Sequence, residues 1–190
     1  MNRGSLGSPA TRLRSPGLAY SGNLTKIRQH SGNLTSFFHP MTISALLSPQ
    51  CIFLDTEISS KKKLLELIAN VVADRTEFSE SSIFTNLLNR ERLGSTALGQ
   101  GFAVPHARLT DLDRTLACFF RLKDAVNFEA PDNRPVDLVF AIIIPEEATD
   151  EHLVILSSLA RIFSSENVCE EIRKATSKDE IAQIIESAEQ

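Results

Sequence analysis

No stretch of this 190-residue chain is apolar for long enough to cross a bilayer as a helix. The longest such run, Leu138 to Ile144, falls far short of the roughly 20 residues a spanning helix needs. No unbroken apolar core follows the arginines near the N-terminus, which excludes a secretory signal. Cysteine is scarce: Cys51, Cys118 and Cys169 are odd in number, widely spaced and set among apolar neighbours. They read as buried thiols in a reducing compartment, giving a cytoplasmic address, and exclude a disulfide framework. Acid is absent from residues 1–40, which hold five basic residues (Arg3, Arg12, Arg14, Lys26, Arg28). With the whole chain at −4 and this segment at +5, residues 41–190 carry −9. An acidic body excludes nucleic acid as the main partner, because phosphate backbones are bound by basic surfaces.

What is present is an ordinary soluble composition, 42% hydrophobic and 23% charged, in a length that makes one domain with room for a tail. Residues 1–40 are rich in Ser, Gly, Asn, Pro and Arg and lack either helical or strand period. The pentapeptide SGNLT occurs in them twice, at 21–25 and 31–35, too few copies to build a solenoid. This segment reads as a disordered extension, or as a stretch translated upstream of a natural start at Met41. The domain division is therefore 1–40 and 41–190.

From Met41 onward the pattern is regular. CIFLD (51–55) reads as a short strand, and the next segment carries the apolar stripe Leu64, Leu65, Leu67, Ile68, Val71, Val72 of an amphipathic helix, capped by Ser59 or Ser60. A second helix runs from about Ser81 to Arg92 and stops at Gly94. Short strands follow around Ala97 and Phe102 to Val104. TLACFFRL (115–122) and VDLVFAIII (136–144) are β-rich, the second apolar enough to be covered on both faces. The link between them is too short for a crossover helix, so the sheet is expected to be mixed. The last third is helical: one helix capped by Thr149 or Asp150, another from Glu166 to Ala175, and a last one opened by a Ser177–Glu180 capping box. The expected fold is α/β, a single domain with a mixed sheet flanked by helices on both faces and a disordered N-terminal tail.

Most catalytic signatures are missing. Gly94, Gly99 and Gly101 are followed by no G-K-[ST] and do not have dinucleotide-fingerprint spacing, so they read as turn glycines that can bring backbone N–H groups toward a ligand. His30 and His39 lie in the tail; His106 and His152 lack the partners at ligand spacing that a metal site requires. No nucleophile elbow or papain-type signature supports a hydrolase. His106 stands out because Pro105 enters it with fixed φ, an apolar run ends there, and its neighbours are small. An accessible imidazole with a pKa of about 6.5 is a competent nucleophile at cytoplasmic pH. Arg90 and His152 read, on bare chemistry, as a helix-end arginine paired with Glu91 or a neighbour and as a polar residue in a helix's first turn.

NRERLGSTALGQGFAVPHARL (89–109) resembles the phosphorylation-site signature of enzyme IIA domains of the mannitol/fructose class of the phosphoenolpyruvate-dependent sugar phosphotransferase system. The resemblance runs from about Ile43 to the C-terminus and is closest to the stand-alone nitrogen-regulatory IIA proteins. It implies that His106 is the phosphoryl-accepting histidine, Arg90 the active-site arginine, and His152 a second histidine near the pocket. Ala107 and Ala97 stand where the family commonly has glycine. The implied activity is that of a phosphotransferase-type phosphocarrier with no metal or organic cofactor. Its partner would be a histidine-phosphorylated HPr-like protein, and its phosphorylation state would regulate nitrogen- or potassium-related targets. Two alternatives are a sugar-specific IIA passing phosphate to a IIB component in fructose or mannitol uptake, and an interaction module that carries no phosphate.

Overall fold

The structure, a computed structural model, describes residues 42–190; the expected tail lies outside them. In chain order the described elements are α1 (Ile43–Leu46), a 3-10 turn (Pro49–Cys51), β1 (Ile52–Thr56), α2 (Lys61–Ala73), α3 (Glu80–Arg92), β2 (Ala97–Gly99), β3 (Phe102–Ala103) and β4 (His106–Leu109). These are followed by β5 (Leu116–Val126), β6 (Val136–Pro145), α4 (Thr149–Phe163), α5 (Glu166–Lys174) and α6 (Lys178–Glu189).

Strand β6 organises the rest, for the reason its composition suggests. Its alternate side chains enter two separate cores. Val136, Val139, Ala141 and Ile143 meet Leu64, Leu65, Ile68, Ile83 and Leu87 of α2 and α3. Leu138, Phe140, Ile142 and Ile144 meet Ile155 and Leu159 of α4, Ile172 of α5, and Ile181 and Ile185 of α6. Each large apolar side chain fully removed from water contributes about 1.5–3 kcal/mol, so a strand buried on both faces anchors both helical layers. Strand β5 repeats the alternation, Phe119 to one side and Phe120 to the other.

The sheet order is β1-β5-β6-β3-β2, with β4 pairing on β6 as well. Strands β5 and β6 are antiparallel, whereas β1/β5, β3/β6 and β4/β6 are parallel, so the sheet is mixed as expected. Strands β3 and β4 lie end to end along the same side of β6: Phe102 pairs with Leu138, and His106 with Ile142. Pro105 falls in the break between them, where its carbonyl accepts from the Ile142 N–H at 3.0 Å and its missing N–H leaves no gap in a ladder.

Several boundaries differ from expectation. Ser60, not Ser59, caps α2, its hydroxyl accepting from the Lys63 N–H. Helix α3 begins one residue early because Ser79 caps it by accepting from the Ser82 N–H. Neither Thr149 nor Asp150 caps α4; Ala148 holds that position and has no side-chain oxygen to offer. Ser177 caps α6 by accepting from the Glu180 N–H at 3.2 Å, but the Glu180 carboxylate reaches one residue further back, to the Thr176 N–H at 2.7 Å. Glu180 therefore also fastens the loop entering the helix.

The glycine-rich segment makes the expected tight turn between β2 and β3, with Gly99 and Gly101 at positive φ. Gln100 N–H donates to Asp132 Oδ2 at 2.8 Å, and Arg173 of α5 donates to the Gln100 carbonyl at 2.6 Å while gripping Asp137 at 2.8 and 2.9 Å. Gly101 has φ +75°, and a Cβ there would lie 2.6 Å from Arg173 Nη2 and 2.8 Å from Asp137 Oδ1. Glycine is required at this position for both its backbone conformation and the close approach of the arginine. The turn sits beside Leu138, at the start of β6. Four strand residues separate the registers of Phe102 and His106, about 13 Å at 3.3 Å per residue. The turn's N–H groups therefore do not cradle anything bound at His106.

Candidate functional site

His106 opens β4 where the end of α3 and the start of α4 converge on one edge of the sheet. Two contacts fix its ring. Nδ1 lies 2.8 Å from the Val104 carbonyl, and Arg90 Nε donates to Nε2 at 2.9 Å. A carbonyl only accepts and a guanidinium only donates, so Nδ1 carries the proton and Nε2 presents its lone pair. The tautomer follows from the two neighbours.

The expectation of an accessible imidazole with an ordinary pKa is corrected. His106 is only 8% exposed. Burial pushes its pKa down to about 4, against the Val104 carbonyl, which favours the protonated ring. The positive charge of Arg90, the neighbouring His152 and Arg108 lower it further. The ring is therefore neutral across the physiological range because its surroundings, not the bulk pH, decide its charge.

Arg90 lies in the last turn of α3, and its Nη1 donates to the Gly94 carbonyl at 3.0 Å. It does not pair with Glu91. That carboxylate is buried and points the other way, 3.2 Å from Lys61 Nζ, 2.6 Å from Thr96 Oγ1 and 3.2 Å from the Thr96 N–H. Glu91 thus pins the Gly94–Thr96 turn, whose Gly94 carbonyl in turn holds Arg90.

His152, in the first turn of α4, brings its ring centroid to 5.2 Å from that of His106 at an interplanar angle of 59°. It too is buried, and its pKa is lowered by burial, then by Arg108 and Arg90. Its Nδ1 has no hydrogen-bond partner. The three residues expected at the site are thus brought together around one cavity of about 390 Å³.

Sequence reading missed the rest of the cavity wall. Asn86, Asn89 and Leu93 line it from α3 and Arg108 from β4. The spacing was available: with Arg90, the α3 residues stand at i, i+3, i+4 and i+7, one helical face. Residues 106 and 108 share one face of a strand. Leu93, on the cavity wall, is 86% exposed, and Leu153 and Val154, which follow His152 in α4, are exposed as well. Among the described residues no cluster of His, Cys, Asp and Glu is placed to hold a metal ion, and no helix is long and apolar enough to cross a membrane. All three cysteines are free thiols; Cys118 and Cys169 are buried and Cys51 is half-buried.

A neutral, oriented imidazole with its open nitrogen against an arginine is suited to accepting an anionic electrophile. Comparisons with known proteins agree with that chemistry. Residues 45–188 match the model of the family described as "Phosphoenolpyruvate-dependent sugar phosphotransferase system, EIIA 2", and the chain belongs to this family. Among curated relatives, a nitrogen regulatory protein homolog of Haemophilus influenzae is 39% identical over 154 residues, spanning 79% of this chain and 94% of that protein. Among solved structures, the nitrogen regulatory protein IIA-Ntr of Neisseria meningitidis superposes with a TM-score of 0.73 at 39% identity, covering 75% of this chain and 98% of that one. The mannitol IIA of Escherichia coli follows at a TM-score of 0.63 and 25% identity, covering 73% and 98%.

Proposed function

We propose that residues 41–190 form a phosphohistidine carrier that accepts a phosphoryl group on His106 from a histidine-phosphorylated HPr-like protein. We also propose that its phosphorylation state governs binding to regulatory targets in the cytoplasm, with residues 1–40 an extension outside the carrier domain. The observation that carries this reading is the pair of contacts on the His106 ring, Nδ1 to the Val104 carbonyl at 2.8 Å and Arg90 Nε to Nε2 at 2.9 Å.

The reaction then needs little beyond positioning and charge neutralisation. The Nε2 lone pair attacks phosphorus as the donor's P–N bond breaks, and that bond's electron pair returns to the donor ring nitrogen. A PO3 unit moves between two rings and no proton need change place. The acceptor ring becomes cationic on phosphorylation, and its Nδ1–H already donates to the Val104 carbonyl, which stabilises that charge. Arg90 must release Nε2 before attack and transfer its donors to the phosphoryl oxygens. Its fork geometry suits that exchange better than an ammonium would. His152, whose ring centroid lies 5.2 Å from that of His106 on the same cavity wall, would contact the phosphoryl group.

The similarity to nitrogen regulatory proteins over nearly their whole length supports a regulator of nitrogen-related processes; potassium-related targets are part of the proposal. A sugar-specific role, passing phosphate to a IIB component, is supported more weakly, through the mannitol IIA at 25% identity. Incubation with phosphoenolpyruvate, enzyme I and an HPr-type carrier tests the central reading by intact mass. One acid-labile phosphoryl group absent from His106→Ala is expected. A folded protein that takes none from either nitrogen-type or sugar-type carriers would reduce it to an interaction module.

A further inference from the structure

We infer that Arg108 is a second phosphoryl-binding residue, supplying the charge that Arg90 alone cannot. This rests on the phosphocarrier reading above. A phosphoryl group on a ring nitrogen carries up to two negative charges. Among the described residues the cavity around His106 is lined by no acid, and burial holds its two histidines toward the neutral form. Its formal cations among those residues are Arg90 and Arg108, a charge of +2 facing a dianion.

The two arginines are not equivalent in the unphosphorylated protein. Arg90 is committed, Nε to His106 Nε2 and Nη1 to the Gly94 carbonyl. Arg108 makes no hydrogen bond or ion pair among the described residues, although it is near enough to depress both histidines electrostatically. It lies on the same face of β4 as His106 and is exposed at the lip of the cavity. Together with Asn86 it also borders a neighbouring cavity of about 290 Å³ that contains Glu146. That acid bonds to the Thr110 hydroxyl at 2.5 Å and leaves the guanidinium free. A surface arginine with no partner would ordinarily be a solvated side chain. Here a second observation concerns the same cavity wall: His152, which lines it, carries a buried, unpartnered Nδ1. The uncommitted guanidinium and the His152 ring thus line one cavity with His106. A phosphoryl group on Nε2 would give the guanidinium a partner.

The roles then divide by time. Arg90 orients the nucleophile before transfer, and Arg108 meets the incoming phosphoryl group and holds it afterwards. The test uses the full-length protein and the phosphoenolpyruvate, enzyme I and HPr-type carrier system, comparing wild type with Arg108→Ala, Arg108→Lys and, as a charge-matched control outside the cavity, Arg92→Ala. Removing one donor from an anion-stabilising site costs about 10²–10³ in rate when buried, and at this exposed lip we expect about 10-fold or more in the single-turnover rate of Arg108→Ala. Arg108→Lys should recover most of it, since the role requires charge near the phosphoryl group. In ³¹P spectra of the phosphorylated proteins, the phosphoryl group of Arg108→Ala should titrate about half a pH unit or more above wild type, because a neighbouring cation favours the dianion.

A wild-type protein that is phosphorylated, with Arg108→Ala matching it in rate and in ³¹P titration, would overturn the Arg108 assignment alone. So would a rate loss confined to KM and equal to that of Arg92→Ala, which reports general attraction between surfaces. A folded wild type that takes no phosphoryl group from any carrier would overturn both this assignment and the function it rests on.

Discussion

Acidification provides the sharpest check on the site, because its effect on His106 differs so much from that on a solvated histidine. With the pKa pushed down from 6.5 to about 4, roughly 3% of His106 rings are protonated at pH 5.5, against roughly 90% for an unperturbed histidine. Long-range ¹H–¹⁵N spectra of ring-labelled protein should show the Nδ1–H tautomer unchanged from pH 8 to pH 5.5, with a midpoint near 4. The Nε2 lone pair is then available throughout, so the single-turnover phosphorylation rate should be flat over the same range once carrier titration is subtracted.

The depressed pKa also has a consequence for stability, with a definite sign. Above pH 6.5 the ring is neutral in both folded and unfolded chains and contributes nothing. Below it the unfolded chain gains a proton that the folded chain refuses, so stability falls with falling pH until about pH 4. Each pH unit over which only the unfolded chain is protonated costs about 1.4 kcal/mol, so the loss between pH 7 and pH 5 comes to about 2 kcal/mol. Urea unfolding of wild type and His106→Gln at the two pH values isolates it, since other titrations appear in both. A ring that titrates above pH 6, or a wild type that loses no more stability than His106→Gln, would refute the claim that burial and the neighbouring cations hold His106 neutral.

Three further outcomes follow from named contacts. Arg90→Lys keeps the charge but cannot donate in parallel to Nε2 and to the Gly94 carbonyl, so phosphoryl acceptance should drop by about 10-fold or more in a single-turnover assay. Glu91→Ala removes the buried carboxylate that joins Lys61 to the Thr96 turn and should lower unfolding free energy by about 3 kcal/mol in urea. Gly101→Ala places a Cβ against Arg173 and Asp137 at a φ of +75°. It should destabilise by about 2 kcal/mol or more, while the folded fraction still accepts phosphate at the wild-type rate.

The layered fold was legible wherever one element had to satisfy two environments. Strand β6 reads as central because its apolar residues occupy both faces, and the mixed sheet follows from its short link to β5. Placement across the sheet was not legible, because adjacency in sequence is a poor guide once two strands run end to end. Gly101 and His106 are five residues apart, yet they serve opposite ends of β6. The burial of His106 was hidden for a related reason: polarity in the chain rises just after it, but α3 and α4 close over that edge. Glu91 misled in the other direction. It lies at i+8 from Ile83 on the stripe Ile83, Leu87, Glu91, all buried, so helical period already placed it inward. Only its acidity suggested a surface partner.

The 89–109 segment performs three tasks that its continuity conceals. Arg90, His106 and Arg108 line the cavity; Glu91 and Thr96 lock the turn that aims Arg90; Gly101 admits Arg173, which ties α5 to the far end of the sheet. Under the proposed function, the first task needs charges that exchange partners as a phosphoryl group arrives and leaves. The other two need contacts that never change. Arg90 can release Nε2 without loosening the core, because the residues that hold the two turns are bonded to Lys61, Thr96 and Asp137, none of which lines the cavity. If the proposed function holds, a carrier cycling between two charge states would in this way be built on a scaffold that does not sense the cycle. A partner surface would then read the proposed phosphorylation at the exposed residues of the cavity wall, Leu93 and Arg108.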